Sequence, residues 1–185
     1  MSTEAEIIEI DRSRPSFGDW ADEDRSAAEF DRRVEVCGLF ARTFKEVRGY
    51  YAARRPNREG KDARIDRVLM PGKQLIDAGW TRDIGVEIKR SGEKIGRPLA
   101  QAIDYSWCVW YVGHHLLVVE NIFLWPFRKQ HRALESIMVQ NGVGVVDDGP
   151  SASLIFQLEK QVIRIEHDGT FRVQSPNSGT KVGSR

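Results

Sequence analysis

The chain has 185 residues, 41% of them hydrophobic and 30% charged, with a formal net charge of +1. That is length enough for one domain with a real core and the composition of an ordinary soluble globular protein. No apolar run approaches the ~20 residues of a membrane span. Two cysteines, Cys37 and Cys108, are too few for an iron–sulfur cluster or a Cys-rich zinc site.

The first residues lack the basic and apolar regions of a secretory signal, and cysteines read as small core residues fit a reducing, cytoplasmic setting. Charge is unevenly spread. Residues 1–35 hold 11 acidic and 5 basic side chains, net −6; the rest hold 27 − 11 = 16 acidic and 28 − 5 = 23 basic, net +7. A basic body suits a polyanionic partner. The acidic leader is a solvated tail or a segment that competes with nucleic acid for its groove.

Residues 1–25 carry Pro15, Gly18 and many charges, and read as a flexible arm with a short strand at Ile7–Ile10. Residues 26–174 form the domain. Ser26 with Glu29 makes a capping-box pattern, and Phe30, Val34, Cys37, Ala41 and Phe44 make an amphipathic stripe, which predicts a helix from Ser26 to near Gly49. A basic connection, Arg54 to Lys61, follows as a phosphate grip or a solvated loop; Arg55 and Arg58 are its candidate nucleic-acid contacts. A strand is expected over 63–70, and Gln74–Ala78 is a short strand or a turn.

The run Asp83-Ile84-Gly85-Val86-Glu87-Ile88-Lys89-Arg90 alternates with period two, so it reads as a central strand with one apolar and one polar face. Glu87 and Lys89 share the polar face. A charged face on such a strand needs water, a side chain or a metal as partner, because an unpaired buried charge costs several kcal/mol. Residues 91–97 are loop-like, with Arg90, Lys94 and Arg97 as further candidate nucleic-acid contacts. Pro98 opens a helix that runs to about Val112, and Gln101 and Tyr105, four apart, share one of its faces.

Leu116–Glu120 and Ile122–Leu124 predict a buried strand, and residues 127–140 a helix bearing Arg128, Lys129 and Arg132. A late strand at 142–146, alternating stretches from Ser153 to Glu166 and a hairpin turn at Asp168–Gly169 complete the domain. The Ser/Gly-rich segment 175–185 is expected to be disordered. His114 and His115 read as turn and surface residues, and Trp107, Trp110 and Trp125 as core. The fold class is α/β, with a central mixed sheet flanked by helices.

Asp66, then Glu87-x-Lys89, then Gln101-x-x-x-Tyr105 resembles the PD-(D/E)XK nuclease superfamily, in its RecB-like branch. The resemblance covers roughly residues 29–125. It implies a restriction-endonuclease-like αβββαβ core and a Mg²⁺- (or Mn²⁺-) dependent deoxyribonuclease of recombination, repair or phage DNA processing. A non-catalytic nucleic-acid- or protein-binding module on that fold is the alternative. Mg²⁺ takes hard oxygen ligands; Asp66, Glu87 and the Ile88 backbone carbonyl would supply three. The resemblance makes Asp66, Glu87 and Lys89 catalytic and gives Gln101 and Tyr105 a supporting or DNA-contacting part. It also calls for a first-helix carboxylate, with Glu35 first and Glu29 second as candidates. The chain departs from the motif with Ile65 in the proline's place. Its gap from Asp66 to Glu87 is long enough that Asp77 or Asp83 competes for the first carboxylate position.

Overall fold

The computed structural model describes residues 22–52, 61–128, 132–147, 153–158, 161–175 and 179–183. The expected arm strand at Ile7–Ile10, together with Arg55, Arg58 and Lys129, lies outside them.

Helix α1 (Glu23–Cys37) starts earlier than Ser26. Asp22 is the cap, its side chain taking the Arg25 N–H at 2.8 Å, and Glu23 and Asp24 complement the positive helix end. Ser26 is instead buried within the helix. The helix stops at Gly38, whose φ of 62° is left-handed and favours glycine. Residues Phe40–Tyr51 are strand β1, not a continuation of the helix. Ala41 and Phe44 fall at helical spacing after Cys37 by coincidence. The segment around them is rich in β-branched and aromatic residues (Thr43, Phe44, Val47, Tyr50, Tyr51), which favour a pleated surface.

Strand β2 (Asp62–Pro71) pairs antiparallel with β1. Gln74–Ala78, read as strand or turn, falls largely in a short helix, α2 (Lys73–Asp77). Strand β3 (Asp83–Ile88) follows, then α3 (Gly96–Tyr105). The latter ends at Tyr105, well short of Val112, because Cys108–Val112 forms strand β4. Trp110 is therefore a strand residue. The expected single strand at 116–124 is two: β5 (His115–Leu117) and β6 (Val119–Trp125). Helix α4 (Arg132–Gln140) and strands β7 (Val143–Asp147), β8 (Leu154–Leu158), β9 (Gln161–Ile165) and β10 (Phe171–Ser175) come next. Residues Gly179–Gly183, in the segment expected to be disordered, form β11, paired antiparallel with β10.

The fold is α/β. One 11-stranded mixed sheet runs β11-β10-β9-β8-β7-β6-β3-β2-β1-β4-β5. The β3–β6 and β6–β7 pairs are parallel and the others antiparallel. Two cores lie on its two faces. Phe30, Val34 and Cys37 of α1 and Leu75 of α2 pack with Ile84, Val86, Ile88, Phe123 and Trp125. The inward residues of β8–β10, such as Phe156, Ile163 and Phe171, join that same cluster, so the long sheet curls over α1. On the other face Leu99, Ala102 and Tyr105 of α3 and Met138 of α4 pack with Ile65, Val68, Ile122, Leu124 and Trp110.

This places β3 in the middle of the molecule, between β2 and β6 and between two helical layers. The sequence pattern predicts one buried and one polar face, yet residues 84–88 are buried on both. Gly85 shows why the second face can close: a Cβ there would lie 2.6 Å from Ile122 Cδ1 and 2.8 Å from Ile65 Cδ1. No helix among the described residues is long and apolar enough to cross a membrane.

Candidate active site

Glu87 alternates with Val86 and Ile88, which belong to the α1-side core, so it faces α3. Its side chain is 2% exposed. Oε1 accepts from Lys89 Nζ at 2.6 Å, while Oε2 is buried with no hydrogen-bond partner. A buried carboxylate oxygen without a donor is costly. The group answers by keeping its proton. Burial, and then the neighbouring charge of Asp66, push the Glu87 pKa up to about 8, against the pull of Lys89.

Asp66 stands on β2, where its Oδ2 accepts the backbone N–H of Ile88 at 2.6 Å. Burial raises its pKa as well, and the Ile88 amide and Lys89 only partly offset that. The two acids are thus electrostatic neighbours joined through the residue that follows Glu87. Ile88, expected to contribute its carbonyl, meets Asp66 through its amide. For Lys89, burial works against the ammonium, but the hydrogen bond and charge of Glu87 outweigh it and hold the pKa above the usual lysine value.

The other candidates for the first carboxylate sit elsewhere. Asp77 pairs with Lys73 on the surface, and Asp83 accepts the Val118 N–H at 3.1 Å. On α1, Glu29 is held by Arg32 and Arg33, and Glu35 is exposed. The α1 carboxylate that reaches the cluster is Glu23, whose Oε1 lies 3.6 Å from Lys89 Nζ. This corrects the expectation of Glu35. The signal for Glu23 is the acidic run Asp22-Glu23-Asp24 at a helix start, hidden once those residues are assigned to a flexible arm.

Gln101 and Tyr105 do share a face of α3. Gln101 Nε2 donates to the Tyr105 hydroxyl at 2.8 Å, and that hydroxyl donates to the Arg64 carbonyl at 2.6 Å. Burial, then the charge of Glu87, keep the phenol protonated, with its pKa raised. The pair therefore ties α3 to β2 two residues from Asp66.

A second bracing network was not anticipated from sequence. Arg67 is buried, and its guanidinium takes both carboxylate oxygens of Asp31, at 2.7 and 3.0 Å, and donates to the Asp66 carbonyl at 2.7 Å. Lys45 pairs with the same Asp31. Burial tends to raise the Asp31 pKa, but these two cations win and lower it. Glu46 contacts Arg64 at 2.9 Å and Arg67 at 3.9 Å. It is the one non-glycine residue with positive φ, 51°, among the described residues. Besides a register shift between Phe40 and Arg42, Glu46 and Asp66 interrupt the β1–β2 pairing, and Ile65 and Val68, three apart, both pack on the α3 side.

Arg90, Lys94 and Arg97 are exposed on the segment from the end of β3 into α3. Among the described residues, no group of three or more His, Cys, Asp or Glu side chains is gathered as a metal site; the cluster offers two carboxylates and a lysine. Trp110 and Trp125 are core residues as expected, whereas Trp107 is exposed. Comparison with protein-family models, with curated proteins and with solved structures returns no match.

Proposed function

We propose that this chain is a metal-dependent nuclease that hydrolyses DNA phosphodiester bonds, with Asp66, Glu87 and Lys89 at its centre. The observation that carries the reading is the buried Glu87, one oxygen on Lys89 and the other without a donor, beside a second raised carboxyl group on the neighbouring strand. Once Glu87 ionises, two carboxylates and one ammonium sum to −1, and a hard divalent cation is the partner such an orphaned oxygen fits. Bound Mg²⁺ or Mn²⁺ would supply a water of lowered pKa and polarise a phosphoryl oxygen.

The protein groups have separate tasks in this reading. Asp66 and Glu87 provide the carboxylates, and the Ile88 carbonyl is the third oxygen. Lys89 presents a buried ammonium where phosphate charge builds in the transition state. Gln101 and Tyr105 hold α3 to β2, and Arg67 and Asp31 fix the Asp66 backbone from the other side. Arg90, Lys94 and Arg97 are positioned to meet phosphates near the strand end. What supports the family resemblance is an element order of α1, β1, β2, α2, β3, α3, β4, β5 and β6, with β6 parallel to β3, in which we read an αβββαβ core with α2 and the β4–β5 hairpin inserted. A chain with only two cysteines fits the cytoplasmic setting we propose, and DNA recombination, repair or phage DNA processing is the proposed context.

Incubating linear, circular and single-stranded DNA with Mg²⁺ or Mn²⁺ tests the reading. Cleavage should need the cation and should be lost in Lys89→Ala and Asp66→Asn. Cleavage in chelator, or full activity in both variants, would reject it. One observation favours a second reading, a non-catalytic binding module: Glu23 meets Lys89 rather than the two carboxyl groups, and no three His, Cys, Asp or Glu side chains among the described residues are grouped to hold a metal ion. Salt-sensitive DNA binding without cleavage under any cation would establish it.

A further inference from the structure

Strands β1, β2, β4 and β5 make up one end of the sheet, and its two faces differ. Toward α3, Val47, Ala63, Ile65, Trp110 and Leu117 are buried. Alternation therefore sends their neighbours to the opposite face. The registers align Arg64, Arg48, Tyr111 and Leu116 in one row across four strands, and Asp62, Tyr50 and Val109 in the next. Among the described residues nothing covers these rows. The Arg64 side chain is 69% exposed, Tyr50 43% and Leu116 64%. The Tyr50 and Tyr111 rings lie side by side, centroids 6.1 Å apart and tilted by 44°. At the foot of β4, Trp107 is 40% exposed, and its carbonyl takes the Ala52 N–H.

Among the described residues this end is slightly positive: residues 46–52 and 61–64 hold three basic side chains, Arg48, Lys61 and Arg64, and two acidic ones, Glu46 and Asp62, 3 − 2 = +1, with Arg64 paired to Glu46 at 2.9 Å. Residues 106–119, which include the β4–β5 hairpin, hold no Asp, Glu, Lys or Arg and two histidines.

The geometry points to a binding platform for single-stranded DNA on this open face, with bases stacked on Tyr50 and Tyr111 and phosphates held by Arg48 and Arg64. An exposed ring, Tyr50, beside a half-buried one, Tyr111, on a pleated surface flanked by arginines suits unstacked bases, because every base has a π face to offer. A duplex presents only its groove edges and phosphates, so the two rings would find no partner there. The identity of the partner rests on the nuclease reading above. The surface itself does not, since it lies on the sheet face opposite Glu87.

The test is fluorescence anisotropy in chelator, with a labelled oligo(dT) and a blunt duplex of equal length. Tyr50→Ala with Tyr111→Ala should weaken oligo(dT) binding about fivefold or more per ring and leave duplex binding within about twofold. Tyr50→Phe with Tyr111→Phe keeps both rings and should bind as wild type, which separates stacking from misfolding. The proposal is overturned if the wild type does not bind oligo(dT), if the alanine pair binds it normally, if the alanine pair loses both ligands equally, or if the phenylalanine pair is as weak as the alanine pair. Ring-dependent binding in a chain that never cuts DNA would remove the nuclease reading alone. Cutting without ring-dependent binding would remove this platform alone.

Discussion

Lys89 Nζ and Glu87 Oε1 are 2.6 Å apart, two residues along one chain, at the end of the central strand. Side chains at i and i+2 share a face of a strand, and here that face is closed by α3, so the pair is removed from water. Lys89→Ala leaves Glu87 buried, but burial and Asp66 already hold its proton. The stability loss in cation-free urea unfolding should therefore stay near 1–2 kcal/mol, below the ~3–5 kcal/mol of breaking a buried ion pair whose remaining charge cannot neutralise. DNA cleavage by the same variant should fall at least about a hundredfold.

The raised Glu87 pKa fixes the sign of two pH effects. The folded chain keeps this proton to about pH 8, whereas the unfolded chain releases it near 4.5. Between those values the folded state binds more protons, so this contribution is complete below the unfolded value and fades as pH rises toward 8. Cation-free unfolding followed from pH 5 to 9 should show that decline in the wild type, and Glu87→Gln should flatten it. Cation binding needs the carboxylate, so affinity should climb by up to about tenfold per pH unit and level off above about pH 8.

Asp31 is the charge partner of a buried arginine. In Asp31→Ala the Arg67 guanidinium loses both carboxylate bonds but keeps the Asp66 carbonyl and Glu46 at 3.9 Å. These partners offset part of the ~3–5 kcal/mol of breaking a buried ion pair. Urea denaturation should show a loss toward the lower end of that range. Asp31→Glu, which retains the charge, should recover part of it.

Tyr105 donates to the Arg64 carbonyl and accepts from Gln101. Tyr105→Phe keeps the ring against Trp110, 5.3 Å away in an edge-on arrangement, and removes only the hydroxyl. The expected cost is ~1–3 kcal/mol for the partners left unsatisfied. If the pair positions β2 rather than performing chemistry, kcat should fall less than in Lys89→Ala, and the pH profile should keep its Glu87 limb.

Much of the site was legible because it is local. Glu87-x-Lys89 and Gln101-x-x-x-Tyr105 each lie within one element, where strand and helix periods fix their shared faces. Asp66 came from its place on a β-prone run, and the structure brings it to Ile88 through long-range strand pairing. What pattern alone missed depends on tertiary contacts. Gly38 ends α1 while Ala41 and Phe44 still fall at helical spacing. Glu23 reaches Lys89 only because α1 starts at Asp22 and packs across β3. Arg67 and Asp31, 36 residues apart, carry no mutual signal in the sequence. β3 is buried on both faces because an 11-stranded sheet surrounds it, a layout that alternation over six residues does not reveal.

Isothermal calorimetry with Mn²⁺ at about pH 8, where Glu87 is partly ionised, addresses the pocket most directly. Wild type should bind the cation, and both Glu87→Gln and Asp66→Asn, shown folded by their unfolding curves, should lose that binding. A wild type that takes up no Mn²⁺, or variants that bind it as tightly as the wild type, would contradict the assignment of these two carboxylates to one cation site.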